Sequence, residues 1–538
     1  MNDGRAGVSR RDWIRTAGVV GLAAAATGDA GGLEAADASV PVTSIGGRRE
    51  LFVDTSLVAK LTGAARLQLN RPTPQEIALV NDRPWEGASC AYMKVFRDGD
   101  LYRMYYRGSD VIYTKDGYSS PHPEVCCYAE STDGVHWKRP DLGLFEFKGS
   151  KKNNIVWMGP GSHNFAPFLD ENPQCPADQR YKALAGSFRV GLWAFVSSDG
   201  KRFKKLQEKA VIAKGAFDSL NLAFWDKVSG QYREFHRDFR EGRDIRTATS
   251  KDFLNWTDSR FLNYSPHSHG HRPKSAQPIR DADPNNKLPG RVSQLYTNQV
   301  IPYYRAPHIY LGFPTRYIDR GWTYSAQHLP RLKYRQLRAA KSRREGTAVT
   351  DGMLMASRDG LNFHVWPESF IRPGLRATQS WFYGDTYQNH GLVETRSMFE
   401  DGANDLSIYV SENSHQDHRG QFRRYTTRID GFVSLAAPLE GGELVTQPIR
   451  FDGKQLSLNL STSAAGSVRV ELQTPAGKAV PGYSLAESHP LYGDSLDLKA
   501  AWTGKETDVG ALAGKTVRLR FRVEDADLYS YRFEAASG

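Results

Sequence analysis

The chain has 538 residues, 40% of them apolar and 24% charged, with 11 Trp, 25 Tyr and 25 Phe. That is more than one ordinary core takes up, so two domains are expected, or one large repeat fold with a smaller companion. So many aromatics exclude a disordered chain. The 4 cysteines, none in a C-x-x-C pair, exclude a disulfide scaffold and argue against a structural zinc site. No apolar run approaches the roughly 18 residues of a membrane-spanning helix, so the mature protein is expected to have no membrane span.

Residues 1–38 read as an export signal. Ser9, Arg10, Arg11, Asp12, Trp13 and Ile14 match the twin-arginine pattern of bacterial Tat signals, a weakly apolar run follows at 17–26, and Ala36, Asp37 and Ala38 offer a cleavage site. A periplasmic or extracellular location is expected. Because Tat substrates fold before they cross, the cysteines settle under reducing conditions and no disulfide is implied. The formal net charge is +11. Much of the excess falls at 316–344, where Lys and Arg face only Asp319. That stretch reads either as a solvated basic loop or as a rim that attracts an anionic polymer such as a sulfated or uronic-acid glycan. No recognition helix, RRM or zinc finger accompanies the charge, so no nucleic-acid partner is expected.

One short motif organises the rest. Ser131, Asp133, Gly134 and Trp137 form the first copy, and Ser197, Asp199, Gly200 and Phe203 the second. Ser250, Asp252 and Trp256 form a third with Phe253 in the glycine position; Ser357, Asp359, Gly360 and Phe363 form a fourth. Arg428, Asp430, Gly431 and Phe432 make a degenerate fifth. Asp-Gly sets a tight turn, because glycine supplies positive φ and the aspartate bonds its own backbone. The aromatic that follows can pack between neighbouring sheets. The five aspartates are therefore read as turn residues, since catalysis needs a group once and repeated structure needs it in every unit. Two β-rich runs precede each turn, for example 101–107 and 125–131, or 232–237 and 245–250, while helical periodicity is nearly absent after residue 65. Units of this size with one turn motif each predict propeller blades. The prediction is an all-β chain with a five-bladed β-propeller over 47–440 and a C-terminal β-sandwich over 441–538, where strands alternate strictly. Residues 47–70 are left to add a strand to either domain.

This layout of five motif units followed by a sandwich resembles the five-bladed propeller glycoside hydrolases of families 32, 43, 62 and 68, and family 32 most in layout. The first-blade signature of that family is echoed by Asn81, Asp82, Arg83, Pro84, Trp85, Glu86 and Gly87. Its R-D-P corresponds at best to Arg237, Asp238 and Phe239, and its acid motif to Glu394 and Thr395. The resemblance implies a funnel lined by the first strand of each blade, with a calcium near the axis in some relatives. No Asp-x-Asp-x-Asp loop occurs here, so no cofactor and no metal is predicted.

A glycosidase needs two carboxylates across the scissile bond. Reading the first strands for acids gives Glu86, Asp218, Asp385, Glu394 and Asp82 as catalytic candidates. Trp85, His163, Asn164, Asn221, Arg237, Asn298, Arg305, His308, Arg316, Trp381 and Tyr383 are candidates for substrate binding. The expectation is a secreted hydrolase of a poly- or oligosaccharide. Two rivals stay open: a non-catalytic carbohydrate-binding propeller, and a glycan lyase or phosphorylase on the same scaffold. A lyase would use Tyr, His and Arg, which keeps His163, His308 and Tyr383 in view. No Gly-x-Ser-x-Gly elbow, P-loop or dinucleotide fingerprint is present.

Overall fold

A computed structural model describes residues 41–240, 242–265, 294–416 and 419–535. The export segment read at 1–38 lies outside these residues, as does most of the Pro- and His-rich stretch before Gln294.

The repeated turns are built alike. In each of the first four copies the serine Oγ donates to the aspartate Oδ1, at 2.8 Å for Ser131–Asp133, 2.9 Å for Ser197–Asp199, and 3.0 Å for Ser250–Asp252 and Ser357–Asp359. That Oδ1 accepts two backbone N–H groups further on, such as those of Val135 and His136, both at 2.8 Å. The serine Oγ accepts the N–H of the residue after the aspartate. That residue has φ of 73° at Gly134, 73° at Gly200, 72° at Gly360 and 67° at Phe253. Glycine adopts this conformation freely, and Phe253 holds it at a cost.

Each turn closes the third strand of a sheet. The first sheet runs Ala91–Asp98, Leu101–Gly108, Val125–Ser131 and Ile155–Met158. The second runs Ala166–Leu169, Tyr181–Ser187, Gly191–Ser197 and Lys204–Lys205. The third runs Leu222–Asp226, Gln231–Phe239, Arg243–Ser250 and Arg260–Phe261. A further four-stranded sheet takes Val393–Thr395, Asp405–Glu412 and Gln421–Arg428, and completes itself with Thr73–Val80 from far upstream. These four antiparallel blades give a β-propeller arrangement. Between the third blade and that last one lies a seven-stranded sheet centred on Ala348–Ser357 and Asn362–Ile371. Side chains are buried on both faces of the middle strands, because each blade packs on the next. One cluster, for example, joins Phe168 and Leu184 of the second sheet to Ala223 and Tyr232 of the third.

Helix is nearly absent among the described residues, as the sequence implies, and what α-helix there is falls in the basic stretch. There the chain forms three short helices, α1 (Tyr324–Gln327), α2 (Leu332–Ala339) and α3 (Arg343–Thr347), inserted between two strands of the seven-stranded sheet. The Arg335 guanidinium donates to the carbonyls of Pro330, Trp381 and Ser380, so part of the charge serves to pin loops.

The C-terminal residues form a ten-stranded sheet around two nineteen-residue strands, Gln455–Gln473 and Thr516–Glu534. Residues near the N-terminus join it: Glu50–Leu51 pairs with Thr516–Glu534, Val58–Gly63 with Gly442–Thr446, and Arg66–Leu69 with Val433–Ala437. The degenerate fifth motif is not a turn of the same kind. Asp430 is fully buried, accepts from Tyr303 Oη (2.6 Å), Ser530 Oγ (2.7 Å) and Asn459 Nδ2 (3.1 Å), and pairs with Arg49 and Arg305. It ties the upstream segment, the seven-stranded sheet and the ten-stranded sheet together.

Candidate functional site

In an antiparallel blade the start of the first strand, the end of the second and the start of the third share one edge. Register shows this directly: Ala91 pairs with Arg107 and Gly108 with Val125 in the first sheet, and Leu222 pairs with Phe235 and Arg237 with Ile245 in the third. The motif turns follow the third strands and so lie at the opposite edge. One buried cluster brings together Ala91 and Tyr92 of the first blade, Ala166 of the second and Leu222 of the third with Leu220, Tyr296 and Tyr387 from segments between strands.

Within and beside this cluster the tyrosines form a continuous array. Tyr92 stacks on Tyr387 at 6.2 Å between ring centroids, Tyr387 meets Tyr296 at 5.5 Å, and Tyr296 meets Tyr383 at 6.5 Å. Guanidinium groups lie over these rings, Arg107 at 4.5 Å from Tyr92 and Arg237 at 5.0 Å from Tyr296. At one end of the array stands His163, edge-on to Tyr92 at 5.5 Å. Its Nδ1 is 2.8 Å from Glu124 Oε2. The Glu124 carboxyl is carried down to about 2: burial opposes this, and Arg107 and His163 overcome it. Because Glu124 is ionised, Nδ1 carries the proton and donates, which leaves Nε2 as the unprotonated nitrogen, an acceptor within reach of Arg107 Nη1. Burial lowers the imidazole, and Arg107, whose Nη1 lies 3.2 and 3.4 Å from the two ring nitrogens, lowers it further; Glu124 pulls the other way. His163 is therefore neutral near pH 7.

Two hydroxyls donate to the carbonyl oxygen of Asp218, and the His163 ring stands beside that oxygen. Tyr92 Oη lies 3.1 Å from it, Tyr296 Oη 3.3 Å and His163 Nε2 3.5 Å. The Tyr92 and Tyr296 hydroxyls are also 3.1 Å from each other, and burial raises both. The Asp218 carboxylate is 54% exposed and pairs with the buried guanidinium of Arg237. The arrangement thus offers a neutral imidazole base, phenols that keep their protons, and two guanidiniums, Arg237 paired with Asp218 and Arg107 with Glu124 at 3.7 Å.

Of the five candidate acids, Asp218 stands at this centre. Glu86 is buried inside the first blade, where its carboxylate accepts from Tyr106 Oη (2.5 Å) and the Arg83 N–H (3.1 Å) and pairs with Arg139 (3.1 Å). Asp82 pairs with the same Arg139. Glu394 accepts from Tyr304 Oη and Asn404 Nδ2, away from the array. Asp385 is buried under a loop, accepting from the Ser414 N–H at 2.8 Å and the Phe382 N–H at 3.3 Å, and burial pushes it up to about 7. Among the described residues, no two of these carboxylates share a partner except Asp82 and Glu86.

Among the binding candidates, His163, Arg237 and Tyr383 belong to the centre. Asn164 bonds the Phe217 carbonyl and the Gly186 N–H, Asn221 also reaches the Phe217 carbonyl, and Asn298 bonds the Leu220 and Phe235 carbonyls, all holding inner loops. Trp85 donates to Asn154 (2.7 Å) and packs edge-on against Phe147 instead of presenting a face to sugar. Trp381 donates to the Gly374 carbonyl. Arg305 is bound to Asp430, His308 to Glu50 and Arg316 to Asp351, each away from the array. The reading of first strands missed Glu124, Arg107, Arg243, Arg338, Arg344 and His415. Glu124 sits just before a third strand and Arg107 at the end of a second, edges that the strand register places beside the first. Among the described residues no group of three His, Cys, Asp or Glu side chains is arranged to hold a metal ion.

No protein-family model matches the chain, and no curated protein does. Solved structures with related outlines include a glycosyl hydrolase from Bacteroides ovatus, with 16% identity over 72% of this chain and 96% of that one and a TM-score of 0.35. An endo-1,4-beta-xylanase from Bacteroides thetaiotaomicron has 11% identity over 65% and 95%, with a TM-score of 0.37. A beta-1,2-mannobiose phosphorylase from Listeria innocua has 13% identity over 65% and 93%, with a TM-score of 0.34. At such values none of these neighbours assigns an activity to this chain.

Proposed function

We propose that this protein is a carbohydrate-active propeller enzyme that cleaves an acidic glycan by β-elimination at the centre of the ring. In this reading the seven-stranded sheet is the fourth of five blades. The observation that carries it is the placing of His163 Nε2 and Tyr92 Oη together beside the Arg107 and Arg237 guanidiniums, each within 3.5 Å of the Asp218 carbonyl oxygen. Elimination from a uronate needs those three parts. The guanidiniums neutralise the carboxylate and so acidify the adjacent C5–H. His163 Nε2 takes that proton, and the C5–H electrons form the C4=C5 double bond as the C4–O bond breaks. Tyr92 gives its hydroxyl proton to the departing oxygen, and proton return from His163 through water resets the site. Burial favours this division of labour, since it holds the imidazole neutral and the phenol protonated.

A second reading, hydrolysis, is favoured by the half-exposed Asp218 carboxylate, with water as nucleophile. It lacks a partner acid, because Glu124 is held ionised by Arg107 and His163. The two differ in product. Incubation with uronate-containing oligosaccharides is expected to generate the unsaturated-uronate chromophore, with no label taken from heavy-oxygen water. Label at a new reducing end without the chromophore would replace elimination by hydrolysis. Loss of the chromophore in His163→Ala, by about 10²–10⁴-fold, is the expected mark of the base.

A further inference from the structure

The tyrosine array has a second end that the elimination does not use. Tyr383 there meets Tyr317 at 5.6 Å and His415 at 6.0 Å, both edge-on. The Arg344 guanidinium lies 5.2 Å from the Tyr383 ring centroid, and the Arg243 guanidinium 4.1 Å from that of Tyr317. Arg338, on α2, is completely buried; its Nη2 reaches the Tyr383 carbonyl at 3.2 Å. Buried nitrogens without a protein partner cluster here: Nε of Arg243, Nε and Nη1 of Arg338, Nη1 of Arg344 and Nδ1 of His415. Arg243 commits Nη1 to Gln294 at 3.0 Å. Glu345 is already shared, at 3.2 Å from Arg344, 3.6 Å from Arg338 and 3.2 Å from Tyr113 Oη. Asp385, on the same loop as Tyr383, is turned to backbone N–H groups.

Three guanidiniums therefore face the shared Glu345 carboxylate and the Asp385 carboxyl, which burial pushes up to about 7, and leaving so many buried donors unpaired is costly unless a ligand meets them. The excess charge is visible on the tyrosines. Burial alone would raise Tyr383, as it does Tyr296 and Tyr387, but Arg344 and Arg243 bring it down instead. We propose that this end is a second oxyanion subsite, which seats a sulfate ester or a second carboxylate on a sugar neighbouring the one cleaved. The inference rests on the reading that a glycan lies over the tyrosine array. It does not need the glycan to be cleaved there by elimination. Tyr92 meets His163 at one side of the tyrosine cluster and Tyr383 meets Tyr317 and His415 at another, so the two groups of cations approach different tyrosines of one surface.

The test is calorimetric binding, independent of turnover, with the full chain carrying His163→Ala. Three ligands of equal length are compared: a sulfated uronate oligosaccharide, the same after desulfation, and the desulfated form with its carboxyls reduced. The parent should prefer the two charged ligands. Arg344→Gln, and separately Arg243→Gln, should each weaken the charged ligands by at least about tenfold, as loss of a charge-assisted contact does, and leave the neutral one unchanged. A larger loss for the sulfated ligand assigns the subsite to the ester, and equal losses for both charged ligands assign it to the carboxylate. Arg344→Lys, which keeps the charge without the fork, should recover part of the loss. Equal loss for all three ligands, or none for any, overturns the subsite. If the subsite holds and no unsaturated product ever forms with the unmodified enzyme, the elimination fails alone. If product forms while the variants bind every ligand like the parent, the subsite fails alone.

Discussion

His163 acts as a base only while neutral, and its surroundings set where that ends. Burial and Arg107 lower it, Glu124 raises it, and the balance lies below the ordinary imidazole value of about 6.5. The acid limb of kcat/KM is therefore expected below that value. Glu124→Gln keeps an acceptor for Nδ1–H but removes the opposing charge, so the limb should move to still lower pH while the plateau drops. A limb that stays in place, or moves upward, would remove Glu124 as the partner of His163. Asp385 titrates in the opposite sense. Burial pushes it up to about 7, against the Ser414 and Phe382 N–H groups and the Arg338 charge, while an unfolded aspartate sits near 3.9. The native state then binds the proton more tightly. Its contribution is complete below about pH 4 and is lost as pH rises through 7, an amount on the order of 4 kcal/mol. Denaturation midpoints should fall between about pH 5 and 7, and Asp385→Asn should flatten that slope. Equal slopes in the two proteins would count against it.

The turn after each third strand sets backbone strain against side-chain packing, and Phe253 shows which wins. Its φ of 67° costs on the order of 1–3 kcal/mol for a residue with a Cβ. Its ring, however, is fully buried against Phe168, Tyr232 and Trp256 at 5.7, 5.2 and 5.7 Å. Truncating such a ring costs about 3–5 kcal/mol, so Phe253→Gly should destabilise by roughly 2 kcal/mol although it restores the glycine of the other copies. A stabilised variant in equilibrium unfolding would show that the turn strain outweighs the packing of the ring. Gly134→Ala should be harmful for the converse reason, since its Cβ would stand 2.8 Å from Thr395 Cγ2 at a φ of 73°. These turns were legible because their chemistry is local: serine, aspartate and glycine within a few residues fix the same bonds four times. The centre was less legible because it is assembled across edges. Reading each first strand finds Asp218 and His163, whereas Glu124 and Arg107 reach the centre only through the register of the second and third strands. The basic stretch was visible as charge, but not as helices that carry Arg338 and Arg344 onto the tyrosines, because helix α2 is held by tertiary bonds from Arg335 more than by any apolar periodicity.

At the scale of the molecule, the ring and the ten-stranded sheet share Asp430. Its sequence context imitates a blade turn, yet its carboxylate sits beside Arg49, 5% exposed, and Arg305, with Tyr303, Ser530 and Asn459 completing its bonds. Burial opposes the charge, and the two guanidiniums with the Tyr303 and Ser530 hydroxyls hold the carboxyl below its usual range. Removing one partner of such a group strands the others, which costs about 3–5 kcal/mol, whereas replacing a whole buried ionic set by apolar groups can cost little. Asp430→Asn should therefore lower stability by several times more than Arg305→Gln, because Arg305 is 24% exposed and can turn to water while Arg49 cannot. Adding Arg49→Met to Asp430→Asn should then recover stability, a coupling of the sign expected for neighbours in one network. Additive losses in that double-mutant cycle would mean that Asp430 is held by its neutral hydrogen bonds alone. The connection between the ring and the ten-stranded sheet would then rest on packing between strands and not on this buried charge.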